Sequence, residues 1–225
     1  MEQTVEIKSK IDITPSRVGK KYYVKTFGCQ MNVHDSEKIA GMFELDGMIK
    51  ANSEENADVL FINTCTIREN ADDKLYGTLG QLKQWKSKQV DRKLLVGGCA
   101  AQKDKALVRD RAPWVDVVLG THNLTNIINL LNQSEDWGPV TEIVDEIEQM
   151  PTDAPSIRES ESSAWITIQI GCNNSCTFCI VPSVRGPEIS RRPGDIINEA
   201  QQLVDTGVKE ITLLGQNVNS YGRAL

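Results

Sequence analysis

Ala57-Asp-Val-Leu-Phe-Ile-Asn63, followed at once by Thr64 and Cys65, is the stretch that decides the fold. Its β-branched and aromatic residues favour an extended backbone. Its apolar run from Val59 to Ile62 lacks the alternation of a strand with one wet face, so it predicts a strand covered on both sides. The same kind of segment recurs outward from it. Lys21–Phe27 reads as a strand before it, and Arg92–Val96, leading into Gly97–Gly98, and Val115–Leu119 read as strands after it. Helical patterns fall between: Val33–Gly47, with Ser36 and Glu37 near its start, then Ile67–Lys88, Lys103–Arg111 and His122–Leu131. Strands alternating with helices require crossover connections and a parallel sheet.

Composition sets the frame for this α/β reading. The chain has 225 residues, 40% hydrophobic and 25% charged, enough to bury a core and ordinary for a folded protein. No apolar run approaches the length of a membrane span, and Met1–Lys10 has no apolar centre of a secretory signal, so the expected address is the cytoplasm. The net charge of −6 gives no support for a nucleic-acid partner, but it is concentrated. Gln133–Ser163 alone carries −8, leaving the remainder at +2. With Pro139, Pro151 and Pro155, that stretch reads as an acidic linker, with a possible extended piece at Val140–Ile147. The expected organisation is a flexible lead-in (1–20), a parallel-sheet domain (21–132), the linker (133–163) and a second unit (164–225). In the second unit Ala164–Ile170 alternates like a strand and Gly171–Arg192 is a cysteine-rich loop. Asp195–Thr206 is helical and Val208–Leu214 is a strand. That is one β-α-β, which cannot enclose a core of its own.

The six cysteines carry the chemistry. In a reducing compartment they are not first a disulfide set but candidates for metal binding or catalysis. Cys172, Cys176 and Cys179 fall within one short loop at a strand end. Three thiolates there can hold one iron–sulfur cubane and leave one iron open to a small-molecule chelate. The competing reading is a zinc site with a remote fourth ligand, but zinc sites usually show paired spacings. Phe178 would lie along an adenine face, and Ile180, Val181 and Pro182 would shield a cluster. Arg185, Arg191 and Arg192 are placed to meet a carboxylate or phosphates, or else form a solvated surface. Cys29, Cys65 and Cys99 are distant in sequence, yet each follows a predicted strand, and in a parallel sheet all three lie on one edge. The bland alternative is three buried cysteines acting as small apolar residues. His34 and His122 read as surface or capping residues rather than ligands.

Four segments extend these readings. Thr26-Phe-Gly-Cys-Gln-Met-Asn-Val-His-Asp-Ser-Glu37, Asn63-Thr-Cys-Thr-Ile-Arg-Glu69, Gly98-Cys-Ala-Ala-Gln102 and Gly171-Cys-Asn-Asn-Ser-Cys-Thr-Phe-Cys-Ile-Val-Pro182 resemble the radical-SAM methylthiotransferases over nearly all of Lys21–Gly222. Gly28-Cys-Gln-Met-Asn32 and Leu214-Gly-Gln-Asn-Val-Asn219 resemble the branch acting on tRNA rather than its ribosomal-protein relatives.

The resemblance implies a flavodoxin- or Rossmann-like N-terminal sheet followed by the first β-α-β of a radical-SAM partial barrel. It implies two [4Fe–4S] clusters and S-adenosylmethionine (SAM). Cys172, Cys176 and Cys179 would hold the radical-generating cluster, and Cys29, Cys65 and Cys99 a second one carrying or delivering sulfur. Gly215, Gln216 and Asn217, with Phe178, would contact SAM. The implied reaction is methylthiolation at C2 of N6-isopentenyladenosine beside the anticodon, after hydrogen abstraction by a 5′-deoxyadenosyl radical. The implied partners are that tRNA and an electron donor such as flavodoxin, with the enzyme a monomer. Related substrates are threonylcarbamoyladenosine and a ribosomal protein, and a non-catalytic iron–sulfur or zinc protein is the alternative of another class. The family's Val-Pro-Tyr-Thr-Arg-Gly is here Val181-Pro-Ser-Val-Arg-Gly186, without the aromatic. The family also continues beyond the equivalent of Leu225 into the rest of the barrel and an RNA-binding domain, so this chain by itself is expected to be inactive.

Overall fold

The structure is a computed structural model, and it describes residues 13–66, 71–145, 154–158, 160–223 and 225. Six parallel strands form the main sheet: β1 (Lys21–Thr26), β2 (Ile49–Lys50), β3 (Val59–Thr64), β4 (Lys93–Gly98), β5 (Val117–Leu119) and β6 (Val140–Glu142), in the order β2-β1-β3-β4-β5-β6. The helices α1 (Gln30–Leu45), α2 (Ala71–Ser87), α3 (Cys99–Asp104), α4 (Leu107–Arg111) and α5 (Ile127–Asp136) connect them. This is the flavodoxin-like order, with a switch of direction between β1 and β3.

The unbroken apolar runs are explained by two cores. Val59, Phe61, Leu95, Val117 and Leu119 face α1 and α5. Their neighbours Leu60, Ile62, Leu94, Val96 and Val118 face the α2–α4 side. Alternate residues of each strand are thus apolar for different partners.

Several sequence readings are corrected. Helix α1 begins at Gln30, not Val33, because β1 delivers the chain directly into it; Cys29 is its extended N-cap and its carbonyl accepts from Val33 N at 3.1 Å. The glycine pair that weakens the strand signal after Val96 continues β4, pairing Gly97 with Asn63 and Gly98 with Thr64. Of the predicted helix 67–88, residues 67–70 lie outside the described residues, as does the end of the Asn63–Glu69 segment. The stretch read as a linker begins inside α5, and its Val140–Glu142 is the sixth strand, paired with β5. Glu142 is held there because its side chain accepts from Asn123 and Asn126 at 2.9 and 2.8 Å.

The lead-in is also anchored where it is described. Arg17 is 3% exposed and donates to Asp46 at 2.6 Å, Glu135 at 2.6 Å and Asn132 at 2.7 Å, while Ser16 donates to Asp46 from both its amide and its hydroxyl. Positive charge and planar fork tie the segment before β1 to the ends of α1 and α5.

The second unit is β7 (Ser163–Thr167), β8 (Gln169–Ile170), α6 (Val181–Arg185), β9 (Ile189–Ser190), α7 (Pro193–Asp205) and β10 (Glu210–Leu214). The single strand expected over 164–170 splits at Ile168: β7 pairs in parallel with β10, and β8 turns to pair antiparallel with β9. The stretch read as one loop therefore contains a helix and a strand. Leu203 of α7 packs on Ala164, Ile166, Ile168 and Val208, closing the β-α-β. Among the described residues no helix is long and apolar enough to cross a membrane.

His34 and His122, read as surface residues, are buried, and the Nε2 of each has no hydrogen-bond partner. Burial, then the charges of Lys38 and Arg191, holds His34 well below its ordinary 6.5. Burial, then Arg185, lowers His122.

Two outcomes follow from these groups. Arg17→Met leaves the Asp46 carboxylate buried without its cation and is expected to cost about 3–5 kcal/mol in urea unfolding; a loss within error of zero would contradict the buried network. Because both histidines have lowered pKa values in the folded state, the unfolded chain binds more protons as pH falls below 6.5. Their contribution is full above that pH and shrinks below it. Unfolding free energy is expected to drop between about pH 7.5 and about pH 5.5, and to drop less in the His34→Gln, His122→Gln double variant.

Candidate functional site

The C-terminal edge of the main sheet gathers three of the cysteines. β1, β3 and β4 are consecutive in the sheet, and the chain leaves them at Cys29, Cys65 and Cys99. Register pairs Thr26 with Asn63 and Asn63 with Gly97, so the three exits stand side by side. A buried amide network fixes them. Asn32 donates to Asn63 Oδ1 at 3.0 Å and to the Thr64 carbonyl at 2.8 Å. Asn63 returns bonds to the Asn32 carbonyl at 2.7 Å and to Ser36 at 2.9 Å. Thr64 Oγ1 donates to the Gly97 carbonyl at 2.6 Å. Gly98 turns the chain into α3 with φ +92°, and a Cβ there would meet Asn63 Oδ1 at 2.4 Å. The close approach of β3 and β4 at Cys99 therefore requires glycine.

Cys65 and Cys99 are buried and Cys29 is half-buried, its thiol 3.5 Å from Asn32 Oδ1. Burial pushes the Cys99 thiol up, and the Arg185 guanidinium beside it pulls the other way. A cavity of about 210 Å3 opens at the β1/β3 switch point, between Thr26–Gly28, Thr64–Cys65 and the first turn of α2. None of the six sulfurs forms a disulfide.

The second cysteine group leaves β8. Gly171 takes φ +74°, and a Cβ there would lie 1.9 Å from the Pro187 carbonyl oxygen. Cys172 is buried and its amide donates to the Gly186 carbonyl at 3.2 Å, whereas Cys176 and Cys179 are exposed on a turn closed by Cys179 N to the Cys176 carbonyl at 3.1 Å. Phe178 is 98% exposed, so it covers no apolar surface of this chain. Ile180, Val181 and Pro182 are half-buried.

Gly215, Gln216 and Asn217 follow β10 and reach the strand leading into this loop: a Cβ on Gly215 would be 3.0 Å from Gln169 Oε1. Gln169 and Gln216 each bury an oxygen with no partner. A chain of bonds joins Gln169 to Ser220 at 3.1 Å, Ser220 to Glu188 at 2.6 Å, and the Glu188 amide to Asn173 at 2.9 Å.

Two of the three arginines meet carboxylates of this chain itself. Arg191 is buried against Glu199 and the Thr167 carbonyl. Arg185 is 4% exposed and donates to Asp35 at 2.8 Å across the boundary between the units. Helix α6, which carries it, packs on α3, which begins at Cys99. Burial opposes its charge, but Asp35 and Cys99 outweigh that and raise its pKa. Met31, Ile170 and Leu214 pack together at the same boundary, against Cys29, Trp165 and Ile189. Only Arg192, exposed at the start of α7, keeps the solvated character.

Among the described residues no three His, Cys, Asp or Glu side chains stand together within metal-binding reach. The fit to iron–sulfur groups therefore rests on donor type and placement. Each group is thiol only, the choice of soft metals. One group sits at adjacent strand ends, and the other lies in a loop pinned at Cys172 by glycine geometry. Both fit.

Residues 21–120 match the model of a family described as uncharacterized protein family UPF0004, and residues 166–224 that of the radical SAM superfamily. The chain is 52% identical to the tRNA-2-methylthio-N(6)-dimethylallyladenosine synthase of Corynebacterium urealyticum over 97% of its length, covering 41% of that protein. The proteins of the same name from Corynebacterium diphtheriae (55% identity, 91% of this chain, 40% of the relative) and Parafrankia sp. (53%, 92%, 42%) are similar. The chain belongs to the radical-SAM methylthiotransferase family. It spans about two fifths of the length of these curated relatives. Among solved structures, the radical SAM methyltransferase TsrM of Kitasatospora setae superposes with a TM-score of 0.52 over 89% of this chain and 49% of its own, at 10% identity, which establishes the fold alone. Membership of the superfamily implies SAM and a [4Fe–4S] cluster.

The residues missed from sequence are those that position rather than ligate: Asn32, Asn63, Asp35 and Glu188. The first three lie inside the quoted cysteine segments, but nothing in their spacing marks them as partners of one another. The Gly171 geometry is directly testable. Gly171→Ala is expected to abolish iron binding at the Cys172–Cys179 loop while iron held elsewhere is retained, read by iron content after anaerobic reconstitution; unchanged iron would mean that the loop does not depend on that turn.

Proposed function

We propose that this chain is the cluster-bearing part of a tRNA methylthiotransferase that replaces the C2 hydrogen of N6-isopentenyladenosine beside the anticodon with a methylthio group. The reading is supported by thiols on both sides of one boundary, at neighbouring strand ends of the main sheet and in the loop after β8, where α6 packs on α3. One thiol group alone would suit a storage or electron-transfer protein. Two suit a reaction that needs both a radical and a sulfur source.

In this reading Cys172, Cys176 and Cys179 hold the radical-SAM [4Fe–4S] cluster, and Cys29, Cys65 and Cys99 hold a second. When bound, the first supplies one-electron cleavage of SAM at its open iron. The chain's own contribution is placement. Exposed Cys176 and Cys179 keep the loop accessible to a small molecule, and half-buried Ile180, Val181 and Pro182 limit water beside it. Gly215 lies against Gln169 of the loop-bearing strand, Gln216 and Asn217 follow it, and the unpartnered oxygens of Gln169 and Gln216 offer acceptors for the SAM amino group. Phe178 is almost fully exposed and able to lie on the adenine. The tRNA, an electron donor such as flavodoxin and a monomeric state belong to the same proposal.

Iron and sulfide content after anaerobic reconstitution tests it. Cys172→Ala and Cys65→Ala are each expected to remove about four irons, independently, as two cubane sites require. Zinc as the only bound metal, or a single loss shared by both variants, would defeat the reading.

A further inference from the structure

A cavity of about 50 Å3 lies at the boundary between the two units. Met31, Asp35, Lys38 and Met42 line it from α1, and their spacing of four, three and four places them on one helix face. The turn after β5 and the second unit at Arg185 supply the facing walls. Charge in this lining does not balance. Arg185 and Asp35 are paired with each other at 2.8 Å. Among the described residues no hydrogen bond or ion pair engages the Lys38 ammonium. Glu199, the other carboxylate that acts on it, is taken by Arg191. His122 also lines the space, but its lowered pKa keeps it uncharged at neutral pH. One positive charge is left over. Burial holds it below its ordinary 10.5, offset in part by Asp35 and Glu199. A cation without a partner in such a setting is costly, and an anion removes the cost.

We propose that this cavity binds a small monocarboxylate, its carboxylate paired with Lys38 and its short apolar part against Met31, Met42 and Leu124. Thr125 lines the same space, and its hydroxyl, which has no partner among the described residues, is the second donor. Size sets the class of ligand. A water-sized occupant needs about 10–15 Å3, so the cavity takes about four heavy atoms, the size of acetate. A nucleotide or SAM is far too large. Charge sets the rest. One unpaired cation matches one negative charge, whereas a phosphate dianion would bring a second charge and more oxygens than Lys38 and Thr125 can satisfy. Because the walls come from both units, the ligand would also strengthen their contact.

The experiment is calorimetric titration of the purified full chain with sodium acetate, against sodium chloride at equal concentration. Acetate is expected to bind saturably, one per chain, and chloride and the larger benzoate are not. Lys38→Met is expected to weaken acetate at least tenfold, the loss of a charge-assisted hydrogen bond, and Thr125→Val about threefold. Lys50→Met, at an exposed lysine of β2, is expected to leave binding unchanged. No saturable acetate binding overturns the inference. So does Lys38→Met binding as the parent does, an equal loss in Lys50→Met, or benzoate binding as tightly as acetate. If Lys38→Met does not fold, Thr125→Val decides at unchanged circular dichroism: weakened binding supports the site, and unchanged binding overturns it. None of these readouts depends on iron, so the test stands apart from the reading of the cysteines.

Discussion

Arg185 and Asp35 form a fully desolvated ion pair at 2.8 Å, on elements about 150 residues apart in the chain. Taking both charges out of water costs several kcal/mol per ion unless the geometry is good and the remaining donors are used. Asp35 answers the charge of Arg185. The pair therefore holds α6 in one place on α1, since displacement would leave a buried charge on each side. The loop ending at Cys179 inherits its position from α6, and Cys172 is tied to the same segment through the Gly186 carbonyl. The relative placement of the two thiol groups follows from this contact more than from the apolar packing of Met31, Ile170 and Leu214, which is small.

The sheet supplies the other half of the arrangement. A parallel sheet brings every strand out at the same edge, and the order β2-β1-β3-β4 makes β1, β3 and β4 neighbours although long helices separate them in sequence. Their exits splay α1 and α2 to opposite faces, which leaves a cleft at the β1/β3 switch. The amide pair Asn32 and Asn63 fills the base of that cleft with satisfied hydrogen bonds. Buried amides so paired are costly to disturb, and they hold the strand ends in register without any metal.

Val59–Thr64 was legible because its entire length is buried, so its composition reports only burial. The same holds for the cysteines at strand ends, which needed only the position of the strands. Legibility fails where a tertiary partner overrides a local signal. Gly97 and Gly98 look like a strand end and are strand, because β3 pairs with their backbone. The acidic stretch looks like linker and contains β6, because Asn123 and Asn126 capture Glu142. Arg17 falls in a segment that reads as a flexible lead-in, and His34 and His122 read as surface or capping residues, yet all three are buried in a setting that no periodicity encodes. Polar residues inside a fold are the part of a sequence that local patterning describes least.

The two thiol groups differ in a way that matches a division of labour. Cys65 and Cys99 are buried at a rigid edge, while Cys176 and Cys179 are exposed on a short turn. A metal ligand must be a thiolate, so a site where burial raises the Cys99 thiol loads only by releasing a proton against that bias. Arg185 supplies the opposing pull in the same place, without reversing the upward direction. The exposed loop is built differently. It needs instead an anchor at one end, which Gly171 and the Cys172 amide provide, and access at the other. The fold thus separates the two thiol groups largely by burial, with half-buried Cys29 in one and buried Cys172 in the other as the exceptions.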